Sequence, residues 1–290
     1  MPEGDTIFRA ARALDRALRG RVVVGFETVL AKIARVNDDS PIVGRVVERV
    51  EARGKWLLMW FSGGEGREPL ALVTHMLMHG SWHLYRVGEQ WRMPKGAMRV
   101  VVRVEGREGD AGWEAVAFNV SVVEWHTARS LERSAQVPRL GPDVLSGEFT
   151  VEAGVTRLEA YARENPDAEV GVVLLNQRVL AGLGNVYKSE VAFAAGVNPW
   201  RRIATVTRNE MERMVEFALR YMKANVAEGK GEGIVTAGLR RTTRRMDREE
   251  RLWVYRRQGQ ECRRCGAVVM MRKQGEQARS TYWCAGCQKG

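Results

Sequence analysis

The stretch QRVLAGLGNVYKSE, residues 177–190, joins two helical patterns through a glycine turn. The apolar run VGVVLLNQRVLA (170–181) stops at Gly182, and NVYKSEVAFAAG (185–196) reads as a new helix opening at Asn185. The turn is not a dinucleotide fingerprint, because Tyr187 stands where the third glycine would be and no strand precedes it. A glycine turn that opens a helix offers free backbone N–H groups, and these suit phosphate. Asn185 can add a side-chain donor, although many such turns only connect helices. Working outward, the texture stays helical in VEAGVTRLEAYAR (151–163) and RNEMERMVEFALRYMKANVA (208–227). In the latter Met211, Met214, Val215, Ala218 and Met222 form one apolar stripe, read as core. QVPRLGPDVLSGEF (136–149) reads as a linker, and residues 228–250, rich in Gly, Thr and Arg, as a basic loop.

The first half has a different period. From Val22 to about Val123 short β-type runs recur between Gly-rich turns. VVVGFETV (22–29), KWLLMWF (55–61), LALVTHML (70–77), MRVVVRV (98–104) and WEAVAFNV (113–120) are examples, and their spacing predicts an antiparallel sandwich or barrel. Ahead of them Ile7, Ala11, Leu14 and Leu18 fall at helical spacing, with Asp5 or Thr6 as the expected N-cap. The expected fold class is α+β: a β-sandwich with an N-terminal helix, then a helical part ending in a cysteine-bound module. The expected boundaries are 1–133, a linker at 134–149, a helical domain at 150–256 and the module at 257–290, with a basic cleft between the two large parts.

All four cysteines are confined to that module, as Cys262-x-x-Cys265 and Cys284-x-x-Cys287 with eighteen residues between the pairs. Two such pairs can converge tetrahedrally on Zn²⁺, so one structural zinc ion is expected. It would stiffen the loop MMRKQGEQARSTYW (270–283), whose Arg272, Lys273 and Arg279 make it a plausible phosphate clamp. Lys and Arg outnumber Asp and Glu by 46 to 35, a net +11 that points to a polyanion. No stretch approaches the ~18 apolar residues of a membrane span, so no membrane partner is expected. The opening MPEGDTIFRAARALDRALRG carries acids and an amphipathic pattern rather than a secretory leader, so the expected compartment is the cytoplasm, at the nucleoid.

After loss of Met1 the chain would start with Pro2, a secondary amine able to attack an electrophilic sugar carbon and form an iminium. Glu3 is one residue away to move protons. By itself MPEGD is an ordinary start. The combination of MPEGDT, RGKWL (53–57), QRVLAGLGNVYKSE, WVYRRQGQECRRCG (253–266) and ARSTYWCAGCQ (278–288) resembles the formamidopyrimidine-DNA glycosylase and endonuclease VIII family in motif order along nearly the whole chain.

That resemblance implies a bifunctional DNA glycosylase and AP lyase acting on damaged double-stranded DNA as a monomer. It implies Pro2 as nucleophile at C1′, Glu3 as proton-transfer carboxylate and Lys55 as the lysine near the lesion phosphate. It also implies Asn185 and Arg279 as backbone contacts, and Leu77, Met78 and His79 as the wedge that fills the gap left by the flipped nucleotide. His75, His79 and His83 are evenly spaced and would share a strand face, but no acid nearby completes a metal site. The Gly4-Asp5-Thr6 opening is similar to the endonuclease VIII branch, which prefers oxidised pyrimidines. Thr6 stands where both branches commonly keep a glutamate, leaving Asp5 as the nearest substitute. Two rival classes fit parts of the pattern: a catalytically inactive zinc-ribbon DNA-binding protein and an RNA-binding zinc protein. Neither explains Pro2 and Glu3 together.

Overall fold

The computed structural model describes residues 2–64, 66–107, 109–227, 240–243, 245, 247 and 249–289. The expected basic loop at 228–250 lies largely outside them. By contacts the chain divides into two compact units. One holds Pro2 and Thr6–Pro138; the other holds Glu3–Asp5, residues 139–227 and the described residues from 240 onward.

Helix α1 (Gly4–Leu18) belongs to the first unit from Thr6 onward, and that unit continues through β1 (Val23–Thr28), α2 (Ala31–Asp39), β2 (Val47–Arg53), β3 (Trp56–Phe61), β4 (Leu70–His75), β5 (Ser81–Arg86), β6 (Met98–Val104), β7 (Trp113–Phe118), β8 (Val122–His126) and the short α3 (Ala128–Glu132). Two four-stranded antiparallel sheets result, in the orders β1-β6-β7-β5 and β2-β3-β4-β8. Strand alternation sends Val100, Val102 and Val104 from one sheet and Leu57, Met59 and Phe61 from the other into a shared core. The α1 residues Ile7, Ala11, Leu14 and Leu18 join it, none more than 3 % exposed. The opposite face of the first sheet is covered too: Val101, Val116, Tyr85 and Phe118 pack with Trp91 and Met93.

Two local expectations differ. Helix α1 starts at Gly4, so Asp5 and Thr6 lie in its first turn and are not caps. Helix α2 interrupts the strand-rich half: AKIARVNDD is built from helix-tolerant residues and anchors through Ile33 alone among its buried side chains.

The second unit continues with α4 (Val151–Glu164), α5 (Val170–Val173), α6 (Asn185–Ala195), α7 (Arg208–Ala227) and the hairpin β9 (Val269–Gln274) with β10 (Arg279–Cys284). Helices α4 and α6 pack on α7 through its Met stripe, and Met214, Val215, Ala218 and Met222 have no exposed surface. Helix α6 ends at Gly196 in the left-handed conformation, φ 73°. The predicted helical run 170–181 is only four residues of helix. Beyond Leu174 local side-chain bonds outcompete it: Arg178 N–H donates to Asn176 Oδ1 at 3.0 Å, and Gln177 Nε2 donates to the Leu175 and Leu183 carbonyls at 2.9 Å each. Ala181 then pairs with Asp143 in a bridge, which takes the backbone bonds a helix would have used. Among the described residues no helix is long and apolar enough to cross a membrane.

Candidate active site

The glycine turn before α6 does not leave its N–H groups free for phosphate. Glu3 takes them. Its Oε1 accepts from Val186 N–H at 2.9 Å, and its Oε2 accepts from Gly184 at 3.1 Å and Tyr187 at 3.4 Å. The carboxylate has no exposed surface and sits on the positive end of an eleven-residue helix. The approach demands glycines: a Cβ on Gly184 would lie 2.3 Å from the Glu3 carboxyl carbon, and one on Gly4 would lie 2.7 Å from Gly182 Cα. Gly4 N–H also donates to the Gly182 carbonyl at 2.8 Å. Glu3 and Gly4, directly after the buried Pro2, are thus part of the second unit together with the glycine turn.

Asn185 and Arg279, 94 positions apart, are brought together. Asn185 Nδ2 donates to the carbonyl of Ser280 at 2.9 Å, the residue after Arg279. Tyr282 N–H donates to Ser189 Oγ at 3.2 Å, so α6 carries the β9–β10 hairpin on one face. Asn185 is 6 % exposed, and its Oδ1 finds no partner among the described residues. The Arg279 guanidinium donates to Gln277 Oε1 at 3.1 and 3.0 Å.

At the far end of the hairpin the ligand atoms of Cys262, Cys265, Cys284 and Cys287 lie within 4.8 Å of one another. Cys262 and Cys287 sulfurs are 3.8 Å apart, and those of Cys265 and Cys284 3.4 Å. A tetrahedral ion with sulfurs at ~2.3 Å sets them ~3.8 Å apart, so donor set and spacing suit zinc.

In the first unit, Lys55 follows Gly54, whose φ of 59° makes the tight β2–β3 turn. Trp56 at the start of β3 is the register partner of His75 at the end of β4, and their rings meet edge-on at 4.8 Å. Lys55 and the Leu77–His79 turn therefore belong to one end of this sheet. Burial, then the Lys55 charge, push the His75 imidazole down to about 4, so it is neutral at physiological pH. Its Nδ1 accepts from Leu77 N–H at 3.0 Å and supports Leu77 at φ 49°. Leu77 and Met78 stand 45 % and 48 % exposed, and His79 is exposed as well. The histidine cluster weighed from spacing does not form. His83 lies on the other sheet, buried between Ser81 and Tyr85, because the turn breaks the strand after His75.

These features meet known proteins along the whole chain. Residues 1–116 match the formamidopyrimidine-DNA glycosylase N-terminal domain, and residues 140–236 its H2TH domain. The chain is 36 % identical over 293 residues to the probable endonuclease 8 2 of Streptomyces coelicolor, covering all of this chain and 95 % of that one. The chain belongs to the formamidopyrimidine-DNA glycosylase and endonuclease VIII family. It is also 31 % identical to the DNA-(apurinic or apyrimidinic site) lyase Nei2 of Mycolicibacterium smegmatis, with 99 % of both chains covered. The Lactococcus lactis formamidopyrimidine-DNA glycosylase bound to abasic-site DNA shares the fold, with a TM-score of 0.76 at 18 % identity over 99 % of this chain and all of that one.

As a DNA glycosylase and AP lyase of this family, the chain has features that spacing alone did not disclose. Asp5, with no exposed surface, is ion-paired to Arg240, so it is not a free helper carboxylate in place of Thr6. Glu190, the last residue of the 177–190 motif, accepts the backbone N–H groups of Trp253, Val254 and Tyr255 at 2.8–2.9 Å and the Thr242 hydroxyl. It thereby fastens the segment that leads into Cys262. Lys188 is fully buried, and its Nζ donates to Thr281 Oγ1 at 2.7 Å. The sequence marked Asp5 only as a cap or substitute carboxylate and gave no signal for Glu190 or Lys188, since the partners of all three lie tens to hundreds of residues away.

Proposed function

We propose that this enzyme excises oxidised bases, pyrimidines foremost, from duplex DNA through a Schiff base on Pro2, and then cuts the strand by β,δ-elimination. The observation that carries the reading is Glu3: a buried carboxylate seated on the α6 N-terminus, one residue behind the amine. A carboxylate has about four acceptor positions, and three N–H bonds leave capacity to take or give one proton. In this reading, with Met1 removed, the neutral Pro2 nitrogen bonds to C1′ while the C1′–base bond breaks, the base leaves as an anion that takes a proton from water, and the N–H proton of the new ammonium passes to Glu3, which frees the nitrogen lone pair. Protonation of O4′ opens the sugar as the nitrogen lone pair forms C1′=N⁺. Loss of a C2′ proton expels the 3′ phosphate, and a second elimination expels the 5′ phosphate.

Lys55 serves as a cation for the lesion phosphate. Leu77, Met78 and His79 fill the space the flipped nucleotide leaves, at the cost of a few kcal/mol of unstacking. Asn185 and Arg279, held side by side on α6 and β10, take backbone phosphates. Cys262, Cys265, Cys284 and Cys287 would hold one structural zinc ion that stiffens the hairpin bearing Arg279. The pyrimidine preference is supported by the Gly4-Asp5-Thr6 opening and by the endonuclease 8 names of the relatives.

The test is borohydride trapping on duplexes carrying thymine glycol, dihydrouracil, 8-oxoguanine or an abasic site. A covalent adduct is expected with the pyrimidine lesions ahead of 8-oxoguanine, and it should vanish when one residue is added before Pro2. Undiminished trapping in the extended chain would remove Pro2 from its role. Faster trapping on 8-oxoguanine would reverse the preference.

A further inference from the structure

Residues 3–5 are held at three points, and the one at Asp5 is not a property of the glycine turn. Asp5 lies in the first turn of α1 with no exposed surface. Arg240 Nε donates to its two oxygens at 3.0 and 2.9 Å, and Nη2 donates to Oδ1 at 2.7 Å. The guanidinium carbon also stands 5.5 Å from the Tyr187 ring centroid, on the residue whose N–H caps Glu3. Burial and the Asp5 charge push the Tyr187 hydroxyl well above its ordinary range, so it stays neutral.

Arg240 is itself fixed from behind. Asn225 on α7 exchanges two bonds with the next residue, accepting from Arg241 N–H and donating to the Arg241 carbonyl, each at 2.8 Å. Thr242 then bonds Glu190 and Arg251. A buried pair of this kind contributes little net stability, because desolvating both ions offsets their attraction. What it supplies is direction: a planar fork on a carboxylate fixes distance and angle together.

We propose that Asp5 and Arg240 form a positioning latch for imine formation. Together with Glu3 they set the register of the N-terminal peptide, so that the amine of Pro2 is presented to C1′ at the right distance. Neither side chain exchanges a proton or touches the reacting atoms. The latch explains why a chain that lacks a glutamate at Thr6 keeps a carboxylate at Asp5: its partner is a protein arginine. The proposal rests on the Pro2 reading above.

Single-turnover trapping on a saturating abasic duplex measures the step, and binding to a duplex with a tetrahydrofuran abasic analogue measures affinity. The double variant Asp5→Asn/Arg240→Gln removes both ions of the pair together, while Glu3 keeps its three backbone N–H donors. It is expected to trap about 10- to 100-fold more slowly, the scale of a reacting group displaced by ~1 Å, while the Kd moves less than about 3-fold. Arg240→Lys keeps the charge and loses the fork, so it should fall between the double variant and the native chain. A folded double variant that traps within about 2-fold of the native rate overturns the latch. If the double variant does not fold, Arg240→Lys decides alone: slower trapping at unchanged Kd supports the latch, and a native rate overturns it. Failure of the underlying reading looks different, because the native chain would then give no adduct, or the chain extended before Pro2 would trap equally well.

Discussion

Lys188 illustrates how far a single residue can depart from its appearance in the sequence. In NVYKSE it looks like a solvated lysine on a helix, yet it has no exposed surface and donates to Thr281 Oγ1. Burial first, then the Arg279 charge, push its ammonium down to about 7. The unfolded chain keeps this lysine protonated to a much higher pH. Between about 7 and its ordinary value near 10.5 the unfolded state therefore binds more protons, and stability rises with pH across that window. Below 7 both states are protonated and the burial penalty is felt in full. Lys188→Met should remove the penalty without leaving Thr281 unpaired, because that hydroxyl also donates to Gln274 Oε1 at 2.7 Å. The expected result is a variant more stable than the native chain by about 1–3 kcal/mol at pH 6, with the gain shrinking towards pH 10. Urea denaturation at pH 6, 7.5 and 9 measures it. A variant that is no more stable at pH 6, or whose advantage does not shrink with pH, would contradict this account. The start of α6 at Asn185 was legible, because the helical pattern resumes directly after the glycines. Lys188, Asp5 and Glu190 were not, since burial is conferred by β10, Arg240 and the 253–255 segment, which no local pattern connects to them.

At the scale of elements, the period-2 and period-3.6 patterns located five of the ten described strands, and the long helices, to within a residue or two. Where they failed, side chains competed with the backbone, as at Asn176 and Gln177, or a short surface helix hid among strands, as at Ala31–Asp39. The turn between β4 and β5 shows what elements add to a motif. Gly80 N–H donates to the Met76 carbonyl at 2.8 Å, buried Met76 anchors the turn, and Leu77 is held in the left-handed region where its Cβ is strained. Leu77→Gly relieves that strain but loosens the unfolded chain, so stability should stay within ~1 kcal/mol of native. If Leu77 fills the vacated space as proposed, excision from a duplex should nevertheless fall about 10-fold. Incision of a single-stranded abasic substrate, which has no stack to fill, should fall much less. Denaturation and single-turnover cleavage on the two substrates test the separation. Equal losses on both would mean that Leu77 acts on the chemistry or the fold rather than on the gap.

At the scale of the molecule, each unit has a core of its own: the sandwich closes over α1, and the helical unit closes over the Met stripe of α7. The cysteine cluster belongs to the second, where Phe193 of α6 packs with Val254, Val269 and Cys284. The hairpin is therefore anchored twice. One anchor is the four-cysteine cluster, the proposed zinc site. The other is the polar seam formed by Asn185, Lys188 and Ser189 against β10, with Gln274 donating to Glu169 at 2.9 Å and the Pro199 carbonyl at 2.8 Å. Loss of the ion should free the knuckles around Cys262–Cys265 and Cys284–Cys287 while the seam keeps the strands loosely in place. With a net charge of +11, DNA affinity should fall steeply with salt, and each phosphate contact contributes about 0.9 to the slope of log K against log salt. Arg279→Ala should lower that slope by about one and weaken lesion and undamaged duplexes alike. Chelation should lower it further, because Arg272 and Lys273 on the same hairpin lose their fixed geometry along with Arg279. Anisotropy titrations between 50 and 200 mM salt compare the two, and hydrogen exchange should show faster exchange confined to residues 257–289, with the sandwich strands unchanged. A chelated protein with the native slope would show that the seam alone holds the hairpin. Accelerated exchange in β3 or β6 would show that the two cores are not independent.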